Sequence, residues 1–315
     1  MKAIITKEYG SADVLNVENV DIPTIQDDEI LIEIKAASVN PLDWRIRTGE
    51  MKIMTGKTPP RILGSDYSGV VSKIGKNINT YNEGDEVFGM IDIVKLKEGC
   101  YAEFVKLKEN DICLKPNNCS FEEAASLPLV ALTSYMALVD IAKVEKGSNV
   151  LINGCAGGVG SAAVQIAKAL GCKTTGICST KNIEFAKTLG ADHIIDYKKE
   201  NVLDKMDTYD VVFDTVGNLK FSKSKNILKS NGIYVTTAVT ISAMMFTPIT
   251  NLFRSKKFKL VVVKPDSNAL STIKQMAENE KLKGQVSKIF ELEQIKEAHE
   301  MSQKGGFSGK LVLKM

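Results

Sequence analysis

The densest run of residues suited to chemistry is Asn153-Gly154-Cys155-Ala156-Gly157-Gly158-Val159-Gly160. Backbone without side chains lets a pyrophosphate approach closely, and the positive end of a following helix then faces the phosphates. Aligned on Gly157 and Gly160, the run reads small-x-G-x-x-G, with Cys155 where a dinucleotide fingerprint usually has its first glycine. Taken alone, such a run is as readily a turn without a ligand. Its setting, between a strand and a helix in a longer alternating series, favours a nucleotide. The next decision point comes nineteen residues after Gly160, at Cys178-Ser179-Thr180-Lys181-Asn182. A site for NAD wants Asp or Glu there, to hold the ribose 2′-hydroxyl. Two hydroxyls and an ammonium suit a 2′-phosphate instead, although Ser179 or Thr180 would also serve as an ordinary helix cap. The expected cofactor is therefore NADP(H).

The remaining reactive inventory is thin. The 315 residues include only two histidines, His193 and His299, too few for a His-rich metal site. The six cysteines (Cys100, Cys113, Cys119, Cys155, Cys172 and Cys178) form no C-x-x-C pair and no structural-zinc spacing, and read as small core fillers. With 41 basic and 38 acidic residues interspersed, the net charge of +3 gives no argument for a nucleic-acid or membrane partner. The longest apolar stretch, residues 127–142, is interrupted by Thr133, Ser134 and Asp140 and is too short to span a bilayer. Lys7 falls where a signal peptide needs its apolar core. These features predict a reduced, cytoplasmic chain.

The elements that must position the glycine run can be read around it. Residues 3–6, 29–36 and 67–74 are apolar or alternating and rich in β-branched side chains, which predicts strands. Ser120-Phe121-Glu122-Glu123 has the form of a capping box, opening a helix that Pro128 should end, with a second helix over 133–139. Strict alternation follows. Strands are expected at 149–154, 173–178, 193–197, 209–215, 232–238 and 260–263, with helices at 159–170 and 182–189 closed by Gly171 and Gly190. Short apolar strands alternating with amphipathic helices predict a parallel sheet covered on both faces. The tail returns to mixed structure, with helices at 268–282 and 292–302 and strands at 286–290 and 310–314. The apolar segment 239–250 reads as a cleft cover or a subunit contact, and 253–257 as a solvated loop.

Several ordered motifs then accumulate: Ser38-Val39-Asn40-Pro41-Leu42-Asp43-Trp44, Leu63-Gly64-Ser65-Asp66-Tyr67-Ser68-Gly69-Val70-Val71, Gly84-Asp85-Glu86-Val87-Phe88-Gly89, Gly157-Gly158-Val159-Gly160 and Gly309-Lys310-Leu311-Val312. Over essentially its whole length the chain resembles the zinc-independent, quinone oxidoreductase-like group of the medium-chain dehydrogenase/reductase superfamily. The resemblance implies an α/β fold: a GroES-like β-rich catalytic domain from both chain ends (1–121 and 266–315) and a Rossmann doubly wound parallel-sheet domain (122–265). It implies that Gly157, Gly158, Val159 and Gly160 cradle the pyrophosphate, and that Ser179, Lys181 and Tyr197 surround the 2′-phosphate. Backbone near Thr237, Val261 and Val263 would approach the nicotinamide, and Asn40, Asp43 and Thr133 would line the substrate. Zinc-dependent relatives carry Gly-His-Glu where this chain has Gly64-Ser65-Asp66, so no metal ligands are expected and Asp66 reads as a buried structural carboxylate.

The expected activity is NADPH-dependent hydride transfer to a quinone or an α,β-unsaturated carbonyl compound without a metal. The alternatives are an enoyl thioester reductase and an NADPH-binding protein without turnover. Enoyl thioester reductases of the superfamily carry a tyrosine near the position of Met51, and this chain has none there. Asn40 is the candidate for orienting the reacting oxygen, its rival role being closure of the turn before Pro41. Trp44 reads equally as packing and as a substrate platform. A homodimer is the one assembly envisaged.

Overall fold

β-Branched and aliphatic residues dominate 30–39, and in a computed structural model of the protein that segment is the centre of a sheet. The structure describes residues 1–96, 98–204, 208–238 and 255–315; the segment 239–250 singled out above lies outside them. Lys2–Thr6 (β1) pairs antiparallel with Leu15–Asn19 (β2), a local hairpin. Ile30–Val39 (β3) is buried along nearly its whole length because it has neighbours on both edges. Asp66–Ile74 (β4), Glu86–Met90 (β5), Phe104–Leu107 (β6) and Cys113–Leu114 (β7) complete the amino-terminal strands.

Asn149–Asn153 (β8), Lys173–Cys178 (β9), His193–Asp196 (β10), Tyr209–Asp214 (β11), Leu228–Thr236 (β12) and Lys257–Leu260 (β13) then form a six-stranded, all-parallel sheet in the order β10-β9-β8-β11-β12-β13. The order reverses direction between β8 and β11, the doubly wound arrangement with its crevice at that switch point. Val286–Glu291 (β14) and Lys310–Lys314 (β15) return to the first sheet, whose order is β14-β15-β3-β4-β5-β7, with β6 also on β3. The register of β15 on β3 sets Leu311 opposite Val39 and Leu313 opposite Ala37, so the two chain ends build one sheet.

The chain divides into two compact units. One comprises Met1–Leu129, Lys264–Asn279 and Gly284–Met315; the other comprises Val130–Val263 and Glu280–Lys283. The core of the first gathers Ile4, Ile32, Tyr67, Tyr101, Phe290 and Leu313, and that of the second Leu151, Ile177, Val212, Ile227 and Tyr234. Among the described residues no helix is long and apolar enough to cross a membrane.

Several expected boundaries move. The helix expected at 268–282 is Ser267–Glu278, and the strand expected at 232–238 is Leu228–Thr236. The helix expected at 133–139 is split between Pro128–Tyr135 and the π-helical turn Met136–Ile141. The helix capped by Ser120 ends at Ala125, and Pro128 opens the next helix, Pro128–Tyr135. Proline is at home there, since the first helical N–H needs no partner. The last strand of the parallel sheet lies at Lys257–Leu260, three residues earlier than the apolar run 260–263, with which it shares only Leu260. It is an edge strand, and lysines suit an edge better than a continuous apolar row.

His299, on the helix Ile295–Lys304, is wholly buried, edge-on to the Tyr101 ring at 5.7 Å. Neither ring nitrogen finds a partner among the described residues. Burial, reinforced by the neighbouring Arg47 charge, lowers its pKa to about 3. An unfolded histidine takes up its proton near pH 6.5, whereas this one stays neutral in the fold, so its contribution is lost as pH falls below that value. Between pH 7 and pH 5 the unfolding free energy should therefore fall by about 2 kcal/mol more in the natural protein than in His299→Leu. Urea titrations of both at the two pH values measure the difference, and equal slopes would contradict a buried neutral imidazole.

Candidate functional site

The glycine run follows β8 and turns into the helix Gly158–Ala169, with Gly157 at the extended position ahead of the first turn. The first bond within the helix runs from the Ser161 N–H to the Gly157 carbonyl at 2.8 Å. The N–H groups of Gly158, Val159 and Gly160 precede it and have no helical acceptor. A Cβ placed on Gly157 would meet nothing closer than the Gly154 carbonyl oxygen at 3.5 Å, which leaves open space beside those donors. At Gly160 a Cβ would stand 2.1 Å from the same oxygen, so only glycine lets the helix sit this close to the turn. Open space, N–H groups without a helical acceptor and a helix amino terminus together fit a pyrophosphate.

The expected cofactor residues follow the carboxyl ends of successive parallel strands. Ser179 follows β9, Tyr197 follows β10, Thr237 follows β12, and Val261 and Val263 follow β13. The Tyr197 N–H donates to the Cys178 carbonyl at 3.1 Å, which sets Tyr197 beside the Ser179 turn, with its ring more than half exposed. Ser179 precedes the short helix Thr180–Asn182, and its hydroxyl makes no capping bond. The Thr180 hydroxyl, in contrast, donates to the Asp196 carboxylate at 2.6 Å. The sequence reading found no carboxylate after β9; one arrives from the end of β10, and Thr180 is committed to it.

Asp214, at the end of β11, was not foreseen at all. Buried beside the switch point, it accepts from the Asn153 amide at 2.7 Å, from the N–H groups of Val216, Gly217 and Leu219, and from the Tyr234 hydroxyl. It fixes the loop after β11, on which the Thr237 hydroxyl in turn donates to the Thr215 carbonyl at 3.2 Å.

In the other unit, the start of the helix Pro41–Thr48 meets β4 and β15 in a buried cluster of charges. Asp66 accepts from the Ser38 hydroxyl at 2.8 Å, the Asn40 amide at 2.9 Å and the Leu129 N–H at 2.8 Å, and pairs with the Lys310 ammonium at 3.4 Å. Lys310 also donates to the Asn40 side-chain oxygen and to the Val39 carbonyl. Asp43 accepts from the Asn40 N–H at 2.8 Å, the Tyr101 hydroxyl at 2.8 Å and the Ser65 hydroxyl at 3.3 Å.

Burial raises the Asp43 carboxyl to about 6, the Asn40 and Tyr101 hydrogen bonds and Lys310 opposing it and the Asp66 charge adding to it. Burial lowers Lys310, against the pull of both carboxylates. Asp66 is thus the buried, hydrogen-bonded carboxylate expected of it.

Asn40 and Asp43 do come together, yet the Asn40 amide is occupied on both sides by Asp66 and Lys310, a firmer tie than closure of a turn. Thr133 is buried in the helix Pro128–Tyr135 and belongs to the second unit. The Arg45 guanidinium stands 5.4 Å over the Trp44 ring. Among the described residues no three His, Cys, Asp or Glu side chains converge as metal ligands would.

Residues 26–117 match the family described as alcohol dehydrogenase GroES-like domain, and residues 189–313 the family described as zinc-binding dehydrogenase. The chain is 41% identical over 260 residues to the 2-methylene-furan-3-one reductase of Solanum lycopersicum. It is 38% identical over 260 residues to the chloroplastic NADPH-dependent alkenal/one oxidoreductase of Arabidopsis thaliana. Each alignment covers 80% of this chain and 66% of the relative, so the chain spans just under two thirds of their length. Among solved structures, the quinone oxidoreductase from Coxiella burnetii is similar with a TM-score of 0.90 and 33% identity, covering 100% of this chain and 99% of that one.

Removing Lys310 leaves Asp66 buried without its cation. Lys310→Met should lower unfolding free energy by about 3–5 kcal/mol, the range for breaking a buried pair from one side. Asn40→Ala should cost about 1–3 kcal/mol through the acceptor and donor it strands. Denaturant titration measures both, and losses well under 1 kcal/mol would mean the cluster carries no such charges.

Proposed function

The chain belongs to the zinc-independent, quinone oxidoreductase-like group of the medium-chain dehydrogenase/reductase superfamily, and from that premise we propose that it is an NADPH-dependent reductase of quinones and α,β-unsaturated carbonyl compounds. The observation that carries the reading is the parallel sheet's carboxyl edge: an open glycine turn whose N–H groups have no helical acceptor, flanked by Ser179, Lys181 and Tyr197. In this reading Gly157, Gly158, Val159 and Gly160 bind the pyrophosphate, and Ser179, Lys181 and Tyr197 bind the 2′-phosphate. Thr237, Val261 and Val263 offer backbone to the nicotinamide side. Bound NADPH supplies a hydride.

Asn40, Asp43 and Thr133 are the residues assigned to the substrate side. Asp43 is suited to hold a proton in the working pH range, since burial brings its carboxyl to about 6. A quinone or enone delocalises the incoming charge onto oxygen, so positioning and nearby polar groups suffice to favour the quinol or enolate. Oxidising a simple alcohol needs a proton removed as hydride leaves, and no residue is assigned that task. The relatives' names, an enone reductase and an alkenal/one oxidoreductase, support the same substrate class.

We further take residues 122–265 as the nucleotide domain and 1–121 with 266–315 as the catalytic domain. The location is read as cytoplasmic, in keeping with six free cysteines, and the assembly as a homodimer.

Steady-state NADPH oxidation with 9,10-phenanthrenequinone, alkyl vinyl ketones and trans-2-enoyl thioesters tests the activity. Turnover of the first two classes is expected. Turnover of thioesters alone, or rapid NADP-linked oxidation of propanol, would replace this reading. Lys181→Ala should weaken NADPH binding by about 1.5–3 kcal/mol and leave NADH binding unchanged, the range for a hydrogen bond to a charged group. Equal affinity of the natural protein for both cofactors would remove Lys181 from the site.

A further inference from the structure

Two of the six cysteines stand together, Cys155 in the glycine turn and Cys178 at the end of β9. The N–H groups of Gly154 and Cys155 both donate to the Ile177 carbonyl, at 3.0 and 3.1 Å, so the turn lies directly on the end of β9. A Cβ placed on Gly176 would meet the Cys155 Sγ at 2.7 Å, so that thiol rests over the Gly176 position. Gly176 and Cys178 are two apart on one strand and share a face. Cys155 and Cys178 therefore project into the same small space, close enough for each thiol to shift the other's ionisation. Cys100 and Cys172 donate instead to backbone carbonyls, of Asp66 and Glu145.

We propose that Cys155 and Cys178 form an oxidisable dithiol, which a hydroperoxide closes to a disulfide, and that this bond disables the glycine turn as a dinucleotide cradle. The neighbouring Cys155 side chain holds the Cys178 thiol below its ordinary pKa, while Cys178 and burial raise Cys155, so Cys178 is taken as the attacking sulfur. The Cys178 thiolate attacks one oxygen of hydrogen peroxide; the O–O bond breaks, hydroxide leaves, and Cys178 becomes a sulfenic acid. The Cys155 sulfur then attacks the Cys178 sulfur and the S–O bond breaks. The Cys155 proton goes to the departing hydroxide, so two thiols and one peroxide give one disulfide and two waters.

Two free thiols in contact are much farther apart than the roughly 2.05 Å of a disulfide, so closure draws Cys155 toward β9. Gly157 is bonded to the Gly154 carbonyl at 3.0 Å, and Gly160 has no spare room against the same oxygen. Movement at Cys155 is thereby passed to the N–H groups at the head of the helix. The effect on cofactor rests on the dinucleotide reading above; the dithiol itself does not.

The test treats the reduced full-length protein with stoichiometric hydrogen peroxide, maps its cysteines by alkylation and mass spectrometry, and titrates NADPH by fluorescence before and after. A peptide pair linked through Cys155 and Cys178, two hydrogens lighter, is expected. NADPH affinity should fall at least tenfold and recover with dithiothreitol. Cys155→Ser should accumulate a dimedone-reactive Cys178, and Cys178→Ser should give neither adduct nor link. Oxidation confined to the more accessible Cys119 would overturn the dithiol. A linked peptide with unchanged NADPH affinity would overturn the switch. Reduced protein that binds no NADPH, yet forms the link, would instead retire the cofactor reading and leave the dithiol standing.

Discussion

Burying the Lys310 ammonium is the constraint from which much of the first unit follows. Taking that charge out of water costs several kcal/mol unless oxygen atoms surround it. Its acceptors are the Asp66 carboxylate, the Asn40 side-chain oxygen and the Val39 carbonyl, which lie on β4, before the helix Pro41–Thr48 and at the end of β3. All must arrive together, which pins the register of three strands at once. A slip of one residue between β15 and β3 would turn Lys310 to the opposite face and leave Asp66 unpaired. The carboxyl-terminal strand is thus held to the amino-terminal half by one electrostatic requirement. The cluster also holds two carboxyl groups and a single ammonium. Burial, with the Asp66 charge adding to it, raises Asp43 to about 6, so this carboxyl takes up a proton just below neutral pH and the excess of negative charge is then relieved.

The parallel sheet was legible because strands buried on both faces read as short apolar runs between amphipathic helices. Its edge was not. Lys257-Phe258-Lys259-Leu260 alternates, while the following residues look more like a strand, and only the pairing with β12 distinguishes them. Pro128 was misjudged for a related reason: a proline ends one helix and starts another with equal ease, and the local sequence does not say which.

The residues proposed for the substrate side were legible only through resemblance, and their meaning changed once neighbours were known. Asn40 and Asp43 are three residues apart, so their association was within reach of the sequence. Lys310 lies 244 positions from Asp66, and no local pattern announces a pairing over that span. Asp214 shows the same limit. As a single carboxylate at a strand end it looked unremarkable, whereas five donors converge on it in the fold.

Asp196 raises a sharper question, because a carboxylate beside an adenosine ribose ordinarily favours NAD over NADP. Its position changes the argument. One oxygen accepts from the Thr180 hydroxyl and the other from the Lys198 N–H, so its lone pairs are directed at the protein. These bonds hold its pKa below the usual carboxylate range, and Lys199 adds to the effect. Around it stand Lys198, whose ammonium lies 5.3 Å from the Tyr197 ring, and Lys199, with Lys181 on the neighbouring turn. Two carboxylates, Asp196 and the adjoining Glu200, against Lys181, Lys198 and Lys199 leave this edge with a small positive balance. A phosphate dianion gains from that field, whereas a ribose hydroxyl, being neutral, gains little. The carboxylate that would have argued for NAD thus acts as the anchor of Thr180 and of the turn that presents Ser179 and Lys181, and the local balance of charge still points to NADP(H).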